Sequence, residues 1–248
     1  MSSAQQLFEE GKQCLDAKNY DEAVRLLREA IDLGSAEAMS TLGFCYDNGF
    51  GVEKNIDNAV YWYKKSADNG FARAAANVGS CYYHGDGVPQ DYSVAIKFYQ
   101  QAADQNCKYG STWLGVCYER GHGVEQDIAK AIKWYETAVD LDSNEAQFNL
   151  ARLYAKGHGI KRDFKKALAL YTKAAEGGNS MAMLNLGVMY AQGHVVGQNY
   201  EEAFNWFQKA ANLGDTHAMY NLSRCYKEGL GVERDLDKAK YWSEKSEN

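Results

Sequence analysis

The chain has 248 residues, a net charge of −6 and a pI near 5.5. That balance argues against general nucleic-acid binding, which needs a basic face to displace phosphate counterions. No stretch approaches the roughly 20 apolar residues needed to cross a bilayer, so membrane insertion is not expected. The 23 glycines and 18 tyrosines beside a single proline, Pro89, read as many helices punctuated by tight turns.

The first segment, Met1 to Gly11, has no basic start and no apolar run, so it does not read as a secretory leader. The expectation is a soluble, cytoplasmic protein, with export by another route left open. The first unit, 1–34, is a tight helical hairpin marked by Gly11, Leu15, Asn19, Tyr20, Ala23 and Ala30, and it lacks a Gly-x-Gly interruption. From there a period of 36 residues runs without gaps through 35–70, 71–106, 107–142, 143–178, 179–214 and 215–248. Tyr46 recurs as Tyr82, Tyr118, Tyr154, Tyr190 and Tyr226, and Gly49 as Gly85, Gly121, Gly157, Gly193 and Gly229. An aromatic slot runs Trp62, Phe98, Trp134, Leu170, Trp206 and Trp242.

Within 35–70, Met39, Leu42, Gly43 and Tyr46 stand at helical spacing and predict one helix with one apolar stripe. Gly43 lies inside that stripe at a cost of roughly 1 kcal/mol, which suggests a helix contact too close for a larger side chain. Gly49 and Gly51 end this helix, and Asn55 stands at an N-cap position for the next. The second helix carries Ala59, Trp62, Tyr63 and Ala67, and Gly70 closes it. Neither helix can bury its stripe alone, so stacked neighbours must make a continuous core. The last unit replaces apolar positions with Ser243 and Glu247, as a capping repeat does. Both ends read as caps, with no linker or second domain between them.

The pattern Leu114-Gly115, Tyr118, Gly121-His122-Gly123-Val124, Asp127, Lys130-Ala131, Trp134-Tyr135 and Ala138 resembles the Sel1-like repeat, a relative of the tetratricopeptide repeat. The first unit looks like a plain tetratricopeptide hairpin. The resemblance implies an all-α fold, an α/α right-handed superhelical solenoid of about seven two-helix repeats. It also implies protein binding on a concave face.

The candidate chemistries are weak beside the repeat. Cys45, Cys81, Cys117 and Cys225 share one slot, and adjacent copies stand about one helix spacing apart, ~8–10 Å. Disulfide Cα atoms must approach within ~7 Å, so these read as free, packed thiols. Cys14 and Cys107 have no evident partners. His122, His158 and His194 share a loop slot with Phe50, Asp86 and Leu230, stand too far apart to share a metal, and read as exposed loop residues. The Gly-x-Gly loops lack the βαβ context of a phosphate site. The tryptophan row reads as core. No nucleophile–base arrangement stands out, and neither a cofactor nor a metal is expected. Some cysteine-rich relatives are described as penicillin-binding or β-lactamase-like, which leaves a remote hydrolase alternative. The paired cysteines of those relatives are missing here.

By the resemblance, the first helix of each repeat lines the groove. The positions expected there include Asn77, Tyr83, Tyr109, Arg120, Phe148, Asn149, Arg152, Asn185, Tyr220, Asn221 and Arg224. The arginines suit a segment with acidic and apolar residues. Asn77, Asn149, Asn185 and Asn221 share one slot, and an amide both donates to and accepts from a peptide main chain. Thr41 and Trp113 interrupt that row. The expected function is a protein-interaction adaptor, monomeric and not an enzyme. The alternative is a structural subunit of an assembly or a self-associating scaffold.

Overall fold

The computed structural model describes residues 2–195 and 197–247. Among them lie fourteen helices and no strand. The first seven are α1 (Ala4–Asp16), α2 (Tyr20–Asp32), α3 (Ala36–Asn48), α4 (Ile56–Asp68), α5 (Ala72–His84), α6 (Tyr92–Ala103) and α7 (Lys108–Arg120). There follow α8 (Ile128–Asp140), α9 (Asn144–Lys156), α10 (Phe164–Glu176), α11 (Ser180–Gln192), α12 (Tyr200–Asn212), α13 (Thr216–Glu228) and α14 (Leu236–Ser246). The chain is an all-α solenoid with two compact units, Met1–Trp134 and Tyr135–Asn248. Within the first unit α1 to α7 pack in sequence, each on the next, and α5 also touches α7. Within the second, α9 to α14 pack in the same way.

Local chemistry sets each boundary. The Asn55 side chain accepts from the Asn58 N–H at 2.9 Å, and Asp91, Asp163, Asn199 and Asp235 cap α6, α10, α12 and α14 in the same manner. At the end of α3, Gly49 takes φ +77°, and the Gly49 and Phe50 amides both donate to the Cys45 carbonyl, at 2.8 and 2.9 Å. Gly51 follows, and a Cβ there would lie 2.3 Å from the carbonyl oxygen of Tyr20, the first residue of α2. So the second glycine of the pair is a docking point on the preceding hairpin. The same approach recurs at Gly87 against Ile56 and, in the second unit, at Gly231 against Tyr200. In the repeat 179–214 the second glycine is replaced by Val195.

The stripe glycines answer to a ring. A Cβ on Gly43 would lie 2.8 Å from Tyr63, on Gly79 2.6 Å from Tyr99, and on Gly187 2.4 Å from Phe207. These rings, with Tyr171, are nearly or wholly buried between the helices of their hairpins. The core aromatic is therefore the residue after the tryptophan slot. Trp62, Trp206 and Trp242 are only half-buried, each beneath a lysine: Lys65 at 5.8 Å, Lys209 at 4.2 Å and Lys245 at 5.4 Å from the ring centre. In the last repeat both partners change together. Ser223 replaces the glycine, Ser243 replaces the ring, and the Ser223 hydroxyl donates to the Ala239 carbonyl at 2.7 Å.

The loop histidines have a use that the spacing hides. His122 stacks on Tyr92 at 4.5 Å and His194 on Phe164 at 4.3 Å, as Phe50 stacks on Tyr20 at 4.6 Å. In each pair the loop of one repeat lies on the first residue of the second helix of the repeat before. The slot reads as indifferent in sequence because Asp86 and Leu230 also occupy it.

Candidate functional site

All six cysteines are free. Burial pushes the Cys45, Cys81 and Cys225 thiols up to about 11 and Cys117 to about 12, so they stay protonated and packed. Among the described residues, no group of three His, Cys, Asp or Glu stands together as a metal site. No helix among them is long and apolar enough to cross a membrane.

In the second unit, Asn221 and Arg224 on α13 come together in a pocket of about 310 Å3, with Val188, Tyr200, Phe207 and Leu230. Arg224 pairs with Glu228 of its own helix at 3.5 Å. The Asn221 amide donates to the His217 carbonyl at 3.0 Å, and the Asn185 amide to the Met181 carbonyl at 2.7 Å. Each amide thus binds the helix one turn back, which holds its rotamer and occupies one of its two N–H groups. Tyr220 stands 56% exposed. Phe148 tilts against the buried Tyr171 at 5.9 Å, and the Arg152 charge acts on that same tyrosine. Asn149 is half-buried on α9.

In the first unit the expected residues divide. Asn77 lines a groove of about 900 Å3. Tyr109 is half-buried, with the Arg73 guanidinium 4.6 Å above its ring. Arg120 is exposed. Tyr83 departs from its expected place on the open groove face, being only 5% exposed. Its ring packs with Trp113 and Tyr92, and its hydroxyl meets His122 Nδ1 at 2.8 Å. Burial raises its hydroxyl pKa while Arg120 lowers it. Tyr83 therefore joins its own repeat to the next. Ser40, Ala76 and Thr112, also on the first helices of their repeats, are buried as well.

That 900 Å3 groove runs along α1, α3 and α5, and its α1 side, with Phe8, Lys12, Leu15 and Asp16, lies in the irregular first hairpin. Phe8, Leu15, Phe44 and Phe50 supply its apolar lining, with Asp16, Glu37 and Asp47 among its polar groups. Phe44, 46% exposed, meets Phe50 edge-on at 5.8 Å. One signal was available: stepping back 36 residues from Phe44 gives Phe8, which extends the groove face into the irregular first hairpin.

The family model described as Sel1 repeat matches residues 3–35, 36–71, 72–107, 109–143, 144–179, 180–215 and 216–247. The first hairpin is matched along with the rest. A comparison with curated proteins finds no match. Among solved structures, a Sel1 repeat protein from Oxalobacter formigenes is 33% identical with a TM-score of 0.89, over 97% of this chain and 98% of that one. A protective antigen of uropathogenic Escherichia coli displaying an SLR fold is 30% identical with a TM-score of 0.73, over 98% of this chain and 53% of that one. An immunity protein from Pseudomonas aeruginosa shares the fold at 22% identity and a TM-score of 0.60, over 85% of this chain and 80% of that one.

Proposed function

Because the chain belongs to the Sel1 repeat family, whose members are generally non-enzymatic protein-interaction scaffolds, we propose that it is a cytoplasmic adaptor gripping an extended protein segment. The segment lies across the odd-numbered helices of the second unit. Asn149, Asn185 and Asn221 meet its main chain, Arg152 and Arg224 its carboxylates, and Phe148 and Tyr220 its apolar side chains. In the first unit Asn77, Tyr109 and Arg120 belong to the same kind of surface, with Tyr83 bracing it from behind.

The observation that carries this reading is the joining of Asn221 and Arg224 in one pocket with an apolar wall. Two details support it. The Asn185 and Asn221 amides are each held by their own helix and retain an acceptor oxygen and a second N–H for a ligand. Arg224 is paired only at the surface, where an ion pair is worth roughly 0–1 kcal/mol, so an incoming carboxylate can displace Glu228.

The test is affinity capture from the native host's lysate with the full chain, the Asn149/Asn185/Asn221 triple alanine variant and the Arg152→Glu, Arg224→Glu double variant. A protein held by the first and lost by both variants is the expected result. Equal capture by all three sinks the reading.

A further inference from the structure

We propose that the α1/α3/α5 groove of the first unit is a separate docking site, for an extended protein segment in which lysines or arginines flank a bulky apolar side chain. This rests on the reading that odd-helix faces of the chain take protein segments, and it assigns this groove a partner of opposite charge.

Size and lining come first. A volume of about 900 Å3 lies at the upper end of small-molecule pockets, and the groove crosses three helices. At an interaxial spacing of ~8–10 Å that is a span of ~20 Å, or about six residues of extended chain. An exposed phenylalanine, Phe44, stands beside Phe8 and Leu15 and offers an apolar seat for one large side chain. Tyr63 and Ser40, each only 5% exposed, also line the groove.

Charge selects the occupant. The groove carries Asp16, Glu37 and Asp47, and an adjoining pocket of about 120 Å3 shares Asp47 and Tyr63 with it and adds Asp86. Against the groove's three carboxylates the lining holds two cations, each already in contact with the chain. Lys12 pairs with Glu9 at 3.5 Å and lies 5.5 Å over the Phe8 ring, and Arg73 lies over Tyr109 at 4.6 Å. On the floor, burial raises the Tyr63 hydroxyl, with Asp47 adding to the rise and Arg73 opposing it, and burial raises Cys81, with Asp47 and Asp86 adding to it and Lys64 opposing it. These carboxylates are spread along the groove rather than gathered round one point, which fits a row of side-chain cations.

The experiment selects displayed seven-residue random peptides against the full chain, then measures the recovered peptides against three variants. These are Phe44→Ala, the Asp16→Asn, Asp47→Asn pair, and Arg152→Glu with Arg224→Glu. Phe44 and Asp16 are exposed and Asp47 is half-buried, and circular dichroism checks that each variant folds. The expected peptides place Lys or Arg around an aromatic or aliphatic residue. They lose about tenfold or more in affinity on Phe44→Ala, as an anchor contact should. They weaken several-fold in the paired asparagine variant and with added salt, and are untouched by Arg152→Glu with Arg224→Glu. If the Phe44-dependent peptides are acidic or uncharged, or if no peptide depends on Phe44, the proposal is overturned. Should peptides depend on Arg152 and Arg224 while none depends on Phe44, only this inference falls and the second-unit reading stands. Dependence on neither set removes both.

Discussion

Gly51 and Gly70 both have positive φ, +65° and +85°, yet their surroundings differ. A Cβ at Gly70 would meet nothing within 4 Å, whereas at Gly51 it would sit 2.3 Å from a backbone oxygen. Gly70→Ala should cost about 1–2 kcal/mol, the left-handed penalty alone. Gly51→Ala should cost that plus about 1–3 kcal/mol for a backbone forced to move, read from denaturant unfolding of the two variants side by side. The slot of Gly70 is filled in the next repeat by Asn106 at φ +56°, so Asn106→Gly should stabilise the chain by about 0.5–1 kcal/mol. Cysteine chemistry gives a second residue-scale check. At pH 8 a thiol reagent should leave Cys45, Cys81, Cys117 and Cys225 unlabelled, reach only the half-buried Cys14 and Cys107, and label all six after denaturation. Free thiols were legible in the sequence because slot spacing rules out disulfides. The burial of Tyr83 was not, because spacing gives the face of a helix and says nothing of the loop that covers it.

At the scale of the element, caps and ring seats set the boundaries. The Asp235 carboxylate accepts the Lys238 N–H at 2.9 Å and pairs with the Lys238 ammonium at 3.2 Å, and the backbone hydrogen bond chiefly holds its pKa below the ordinary aspartate value. Asp127 is lowered in the same way by Lys130. A depressed carboxylate lends stability above its unfolded pKa and loses it as pH falls through the folded one. Wild type should therefore lose more stability than an Asp127→Asn, Asp235→Asn variant on acidification through and below the aspartate range, by thermal unfolding at stepped pH. Replacing the buried Ser35 cap by Ala should cost about 1 kcal/mol in the same assay. The hairpin's glycine–ring contact predicts coupling. Gly79→Ala should destabilise the wild-type background and do little beside Tyr99→Leu, since the clash at 2.6 Å is with the ring. Helix number, boundaries and caps were readable because each rests on local chemistry repeated six times. The buried ring was misplaced by one residue because a tryptophan invites more weight than the tyrosine after it.

For the whole molecule, the stacking positions matter most where they change character. The slot of Val60, Ile96, Leu168 and Phe204 becomes Lys240, and that of Ala67 becomes Glu247. Lys240→Ile with Glu247→Ala should turn a polar surface into an adhesive one and raise the light-scattering mass above the 27.7 kDa of one chain. The solenoid and its repeat were legible, since 35–248 carries one 36-residue signature six times. The α1 side of the first-unit groove was not, because it lies in the hairpin that breaks the pattern. The loop that docks on the hairpin before it carries a further consequence. Gly51, Gly87, Gly123 and Gly231 each meet the first residue of the preceding repeat's second helix, at one fixed distance back along the chain. Gain or loss of whole blocks of 36 codons preserves these spacings, whereas inserting or deleting one codon between such a glycine and the helix start it meets should shift the glycine off that backbone.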